Sequence, residues 1–182
     1  MAGKQKVYEE AMAMAANYSW DQDWPNAVRS YRAALEEFPQ QTDALVGLGN
    51  AYFELQQYES AVRALQRALQ IDSANREAMD KIGEALEKMG RTEDAAKTYV
   101  YSGNLYAKAN QFDNAIASWQ KATNLNPDLD QARNNLAQAY ARTGKKTEAA
   151  MELLTLAANQ QQRNLQDKAQ QFLQGALQLD PY

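Results

Sequence analysis

Apolar residues recur along this chain at the spacing of one helical face. Leu45, Leu48, Gly49 and Tyr52 stand at i, i+3, i+4 and i+7. Ala11, Met14, Ala15 and Tyr18 keep the same spacing, as do Tyr99, Ser102, Gly103 and Tyr106. A second pattern alternates with this one: an alanine followed four residues later by a large apolar residue. It is met by Ala27 with Tyr31, Ala61 with Leu65, Ala95 with Tyr99, Ala115 with Trp119, Ala149 with Leu153 and Ala169 with Leu173. The steps between these alanines are 34, 34, 20, 34 and 20 residues. A pattern of helical faces at a fixed long period predicts an all-α repeat array, not a single globular core.

The residue types fit paired helices. Glycine or alanine at the third mark of the first pattern lets the two helices of a hairpin approach closely, and Ala61 and Ala68 serve the same closeness from the second helix. A bulky residue there would cost roughly 1–3 kcal/mol in overpacking. Trp24, Tyr58 and Phe112 open the second helices and fill the wedge beside the turn. Pro39, Pro127 and Pro181 follow second helices and stop them, because proline lacks the N–H and clashes with the preceding turn. Thr42 with Asp43, and Asp128 with Asp130, stand where caps of the following helices are expected.

Thirty-four residues is the period of the tetratricopeptide repeat (TPR), and the chain resembles that family from about residue 8 to its C-terminus. The marks that carry the resemblance are the Leu45, Leu48, Gly49, Tyr52 face with Ala61 and Ala68 behind it, and their counterparts in the other repeats. The resemblance implies an α-α superhelix, a TPR-type solenoid of antiparallel helices, and a role in holding other proteins.

Two repeats depart from the family pattern in the same way. Residues 76–129 and 130–182 align on each other with a period of 54, each lacking fourteen residues relative to two full repeats. What is missing is a turn and about a helix's worth of chain. From Thr92 to Ala109 there is no proline and one glycine, and from Thr147 to Arg163 neither. Tyr99 and Ser102 belong at once to a second-helix pattern and to the first-helix pattern of the next repeat. One helix of about 18 residues, roughly 27 Å long, therefore does both jobs. The expected organisation is a lead-in over 1–7, two regular hairpins over 8–75, and two three-helix units over 76–129 and 130–182. The helices of those units are placed at 76–89, 92–109, 112–125, 130–143, 147–162 and 166–179. That makes about ten helices in one continuous solenoid. In a regular array the first helices line the concave face, so a shared helix should kink the groove or change its face.

Composition narrows the chemistry. The 182 residues include neither cysteine nor histidine, which excludes disulfides, thiolate or imidazole metal sites, and catalysis through Cys–His or Ser–His–Asp. The net charge of −4 lacks the basic footprint of nucleic-acid binding. No apolar stretch approaches the ~20 residues of a membrane helix, and no apolar signal core follows the first residues, so membrane insertion is not expected and a cytoplasmic location is. No phosphate loop, dinucleotide fingerprint, HExxH or calcium loop is found, and paired carboxylates such as Glu36 with Glu37 are helix-surface neighbours. The chain is read as no enzyme, with no cofactor and no metal.

The resemblance directs attention to the groove-facing positions of the first helices. A subset of the family grips a terminal carboxylate with asparagines and basic residues. Asn104 and Asn135 have the spacing of the two asparagines, and Asn50 holds the equivalent place in its own repeat. The basic members are missing: Val46, Val100, Met151 and Thr155 stand there. Carboxylate capture is therefore not expected, while the amides retain the donors and acceptors to bond a peptide backbone. The alternative is that they are solvated helix residues in a chain rich in Asn and Gln. Lys97, Lys108 and Arg142 are expected to form an anion-favouring patch, and Glu77, Asp80, Glu84 and Glu87 an acidic stripe, which on most helices is a wet face. Trp20 lies off the core face as either a binding anchor or a cap on the first hairpin.

Together these features predict a non-catalytic scaffold that takes a peptide or helix of a protein partner in its groove. The competing reading is a self-association module. It rests on the unbroken shared helices and on Leu173, Leu177 and Leu179, which would be partly exposed at the end of the array, and it allows a homodimer.

Overall fold

The computed structural model describes residues 2–181, which are helical apart from the turns. Ten helices run along the described chain: α1 (Ala2–Trp20), α2 (Trp24–Glu37), α3 (Thr42–Glu54), α4 (Tyr58–Ile71), α5 (Arg76–Lys88), α6 (Thr92–Lys108), α7 (Phe112–Leu125), α8 (Asp130–Arg142), α9 (Lys146–Gln162) and α10 (Gln166–Leu179). The two predicted shared helices are present as the 17-residue α6 and α9, each unbroken. The chain divides into two compact units, residues 1–95 and 96–182, with the division inside α6.

The turn inside each hairpin has one construction. Gln22, Gln56, Gly90, Asn110, Gly144 and Asn164 all adopt positive φ, between 58° and 80°. They repeat the 34, 34, 20, 34, 20 spacing of the alanines. After each, one amide N–H reaches back to close the preceding helix: Asp23 to Tyr18, Gln57 to Tyr52, Arg91 to Leu86, Gln111 to Tyr106, Lys145 to Tyr140 and Leu165 to Gln160, at 2.8–3.0 Å. This is a left-handed C-terminal cap. The residue that closes one helix also lends its carbonyl to the first turn of the next, as Asp23 does to Ala27 and Gln57 to Ala61. One residue serving both ends makes the hairpin turn so short.

The helix starts correct one expectation. Thr42 already belongs to α3, because Gln41 is the extended residue before it (φ −92°, ψ 111°), and Leu129 takes that place for α8. Neither start has a side-chain cap. Asp43 and Asp130 lie instead in the first turns, where a negative charge meets the positive end of the helix dipole. Asp130 is held by tertiary partners: its carboxylate accepts from Gln160 Nε2 at 2.7 Å and Arg163 Nη1 at 2.6 Å. Among the described helix starts, Asp23 caps α2 and Asn75 caps α5 with a side-chain oxygen.

Within the first unit, α1 to α5 pack as consecutive neighbours. The seam is alanine-rich, and Ala15, Ala27, Ala34, Ala44 and Ala61 are fully buried with Leu45 and Leu65. A Cβ on Gly49 would lie 2.5 Å from Leu65 Cγ, and one on Gly47 would lie 2.3 Å from the Tyr31 ring, so these contacts exist only because both residues lack one. In the second unit α7 packs on α8, α8 on α9 and α9 on α10. Its core joins Ala115, Ile116, Trp119, Leu136, Ala139 and Tyr140. Gly103 of α6 repeats the Gly49 relationship, with Trp119 in place of Leu65.

Candidate functional site

A cleft of about 430 Å³ opens in the second unit between α6 and α8, with α7 beneath it. The C-terminal half of α6 presents Tyr101, Asn104, Leu105 and Lys108, spaced i, i+3, i+4 and i+7 on one face. From α8 come Asn135, Gln138, Ala139 and Arg142, and from α7 Phe112 and Trp119. Four of the residues singled out in the sequence thus meet around one hollow: Asn104, Lys108, Asn135 and Arg142. No carboxylate is among its lining residues.

The two asparagines are not independent. Asn135 Nδ2 donates to Asn104 Oδ1 at 2.9 Å. The indole Nε1–H of Trp119 donates to the same oxygen at 3.3 Å and to the Val100 carbonyl at 3.2 Å. An indole N–H can only donate, so it requires the oxygen of Asn104 to face it. That orientation in turn requires the nitrogen of Asn135 to face Asn104. Asn104 Nδ2 and Asn135 Oδ1 remain as a donor and an acceptor at the cleft.

Lys108 and Arg142 stand at the C-terminal ends of α6 and α8, where a positive charge is favoured by the helix dipole. The Arg142 guanidinium lies over the Phe112 ring at 5.6 Å from its centroid, which restrains a long side chain at an exposed position. Tyr140 lies just beneath the cleft wall in the core. Its hydroxyl accepts from Gln120 Nε2 at 2.7 Å. Burial holds this hydroxyl above the usual tyrosine range; the hydrogen bond from Gln120 opposes the shift, and Glu152 and Glu148 add to it.

The other sequence candidates lie elsewhere. Lys97 is three turns before Lys108 on α6 and does not line the cleft. Asn50 belongs to the first unit, where its Nδ2 donates to Glu77 Oε1 at 3.0 Å and its Oδ1 is buried with no partner. The 54-residue register explains the contrast: the position of Trp119 is occupied there by Leu65, which has no N–H to give. The acidic stripe is partly neutralised, Lys81 pairing with Glu84 at 2.8 Å. Trp20 ends α1 at 88% exposure, the most exposed large apolar residue among those described.

Tyr101, Leu105, Phe112 and Gln138 were not singled out in the sequence. Phe112 reads there as a wedge filler, which it also is. Tyr101 and Leu105 share the Asn104 face at helical spacing, the one signal that would have added them.

Comparisons with known proteins agree with this architecture. A family model described as "TPR repeat" matches residues 49–90 and 103–144, and one described as "Tetratricopeptide repeat" matches residues 21–68. No curated protein matches the chain by sequence. Among solved structures, the TPR2B domain of yeast Sti1, titled as a complex with pHsp70, is similar at 20% identity and a TM-score of 0.60, covering 65% of this chain and 98% of that one. A crystal structure of MamA protein is similar at 20% identity over 97% of this chain and 93% of that one, with a TM-score of 0.49. No described helix is long and apolar enough to cross a membrane. The alanine seams, the close-approach glycines and the matched segments fall in one register, and the chain belongs to the tetratricopeptide repeat family.

Proposed function

We propose that the chain is a non-catalytic, cytoplasmic scaffold whose α6–α8 cleft takes a peptide or helical segment of a partner protein. The observation that carries this reading is the convergence of Asn104, Asn135, Lys108 and Arg142 on one hollow with an aromatic floor and no acidic lining residue. The donor on Asn104 and the acceptor on Asn135 match a main-chain amide, which offers one of each. Phe112 and Leu105 take an apolar side chain beside it. Lys108 and Arg142 favour an acidic group at the open end, where opposite charge steers encounter more than it adds affinity. The yeast Sti1 domain of similar fold was solved as a complex with pHsp70, which supports partner binding as a role for this fold.

The test is retention on an array of acidic, neutral and basic peptides. The wild-type chain is expected to favour acidic peptides. Asn104→Ala with Asn135→Ala should keep the helical circular dichroism and lose binding about tenfold or more, the scale of one or two lost hydrogen bonds. Lys108→Glu with Arg142→Glu should reverse the charge preference. Undiminished retention by both double variants removes the cleft assignment.

A further inference from the structure

Resting on the α6–α8 cleft as the ligand site, we infer that Trp119 is a positioning residue that makes the Asn104–Asn135 pair a one-way reader of main-chain amides. A peptide then lies in the cleft with its N-to-C direction running from α8 to α6.

An asparagine fits its place in either of two orientations, since its amide oxygen and nitrogen differ little in shape. Here the choice is made from below. Trp119 is 4% exposed, and its indole N–H donates to Asn104 Oδ1 at 3.3 Å and to the Val100 carbonyl at 3.2 Å. The ring is pressed against α6: a Cβ on Gly103 would lie 2.4 Å from the indole nitrogen. Turning the Asn104 amide over would set its NH2 against a group that cannot accept. With Oδ1 held inward, Asn135 bonds it through Nδ2, at 2.9 Å.

The first unit supplies an internal control. Asn50 stands 54 residues before Asn104, with Leu65 in the place of Trp119 and Lys81 in the place of Asn135. Its Oδ1 is buried with no partner, and its Nδ2 is turned to Glu77. An asparagine at this register therefore does not by itself present a polarised pair. The indole donor and the second amide are both needed, and only the second unit has them at these positions.

The pair offers a donor from α6, Asn104 Nδ2, and an acceptor from α8, Asn135 Oδ1. In an extended segment the N–H and C=O of one residue point to the same side, so a single residue satisfies both. Its N–H meets Asn135 and its C=O meets Asn104. A segment running the other way sets N–H against Nδ2 and C=O against Oδ1. A carboxylate in the same place sets an oxygen against Asn135 Oδ1. The acidic group favoured by Lys108 and Arg142 is then a side chain of the peptide, one and two turns further along α6 and α8, and not the group between the asparagines.

Two isosteric substitutions in the full chain read the polarity without any ligand. Asn104→Asp keeps the inward acceptor and removes only the outward donor. Asn135→Asp replaces the donor by an oxygen that faces Asn104 Oδ1. Both add the same charge, so at pH 7 Asn135→Asp should melt about 5 °C below Asn104→Asp. The gap should close when Trp119→Phe is added, which keeps an aromatic ring and removes the N–H. An equal or reversed melting order overturns the polarity, and a gap that survives Trp119→Phe overturns the role of Trp119. The second measurement titrates two small probes into the 15N-labelled chain, followed at the side-chain amide signals of the two asparagines. One is N-acetyl-leucine N-methylamide; the other is its ester analogue, with oxygen in place of the leucyl N–H. The chain without substitutions should bind the amide about fivefold tighter than the ester, and Trp119→Phe should bind the two about equally. Equal binding by the unsubstituted chain overturns the amide reading while leaving the cleft as a site. If neither probe moves any cleft signal, the cleft itself fails as the ligand site and the inference falls with it, whatever the melting order.

Discussion

Asn135 Nδ2 stands 2.9 Å from Asn104 Oδ1, the same oxygen that faces the Trp119 indole N–H at 3.3 Å. A buried donor-only group thereby sets the polarity of two amides at the surface of a cleft. Urea unfolding of Asn104→Ala, Asn135→Ala and the double variant should show a coupling of about 1 kcal/mol between them. Additive losses would mean that the pair is not bonded in solution.

The glycines of the hairpin seams carry a steric prediction. A Cβ on Gly103 would lie 2.4 Å from Trp119 Nε1, and on Gly49 2.5 Å from Leu65 Cγ. Gly49→Leu should lower stability by about 3 kcal/mol or unfold its hairpin, since both helices must separate. An unchanged melting transition would show that the seam is not packed as described.

The left-handed turn residues predict the opposite sign. Gln56 holds φ 58° with a side chain present, whereas Gly90 and Gly144 occupy the same turn without one. Gln56→Gly should gain roughly 0.5–1 kcal/mol from relieved strain. Gly144→Ala should lose a similar amount, although nothing lies within 4 Å of its missing Cβ. Thermal melting of the two variants in opposite directions checks the turn.

Asp130 ties α8 to α9 through Gln160, which is 3% exposed, and Arg163. Asp130→Ala leaves the Gln160 amide buried without its acceptor and should cost about 1–3 kcal/mol. Hydrogen exchange should show the loss concentrated at the α8–α9 junction; a uniform or absent change would contradict that placement.

Burial raises the Tyr140 hydroxyl above its ordinary value of 10.0. A raised folded value means that the folded state holds its proton more tightly than the unfolded chain does. This contribution is fully present below pH 10 and is lost as pH rises through the folded value. Alkaline unfolding should therefore steepen above pH 10, and Tyr140→Phe should remove that part of the slope. An unaltered profile in the variant would show that another group controls it.

Helix number, the two shared helices and the residues flanking each turn were legible in the sequence, because the period and the small-residue positions follow from the backbone geometry of a close helical hairpin. Leu45, Gly49 and Ala61 could stand nowhere else without a clash or a cavity. Helix starts were read less well: acidic residues near α3 and α8 resembled caps, and whether Asp130 turns to its own helix or to Gln160 depends on what α9 brings near. The candidate site was half legible. The family resemblance picked out Asn104 and Asn135 by their spacing on successive first helices, and Lys108 and Arg142 as groove-facing neighbours. Their meeting with Phe112 and Trp119, and the separate fate of Asn50, were decided by tertiary contacts between helices whose side-chain neighbours no local period encodes. Local spacing determines which face a residue occupies; only packing decides which donor it meets there.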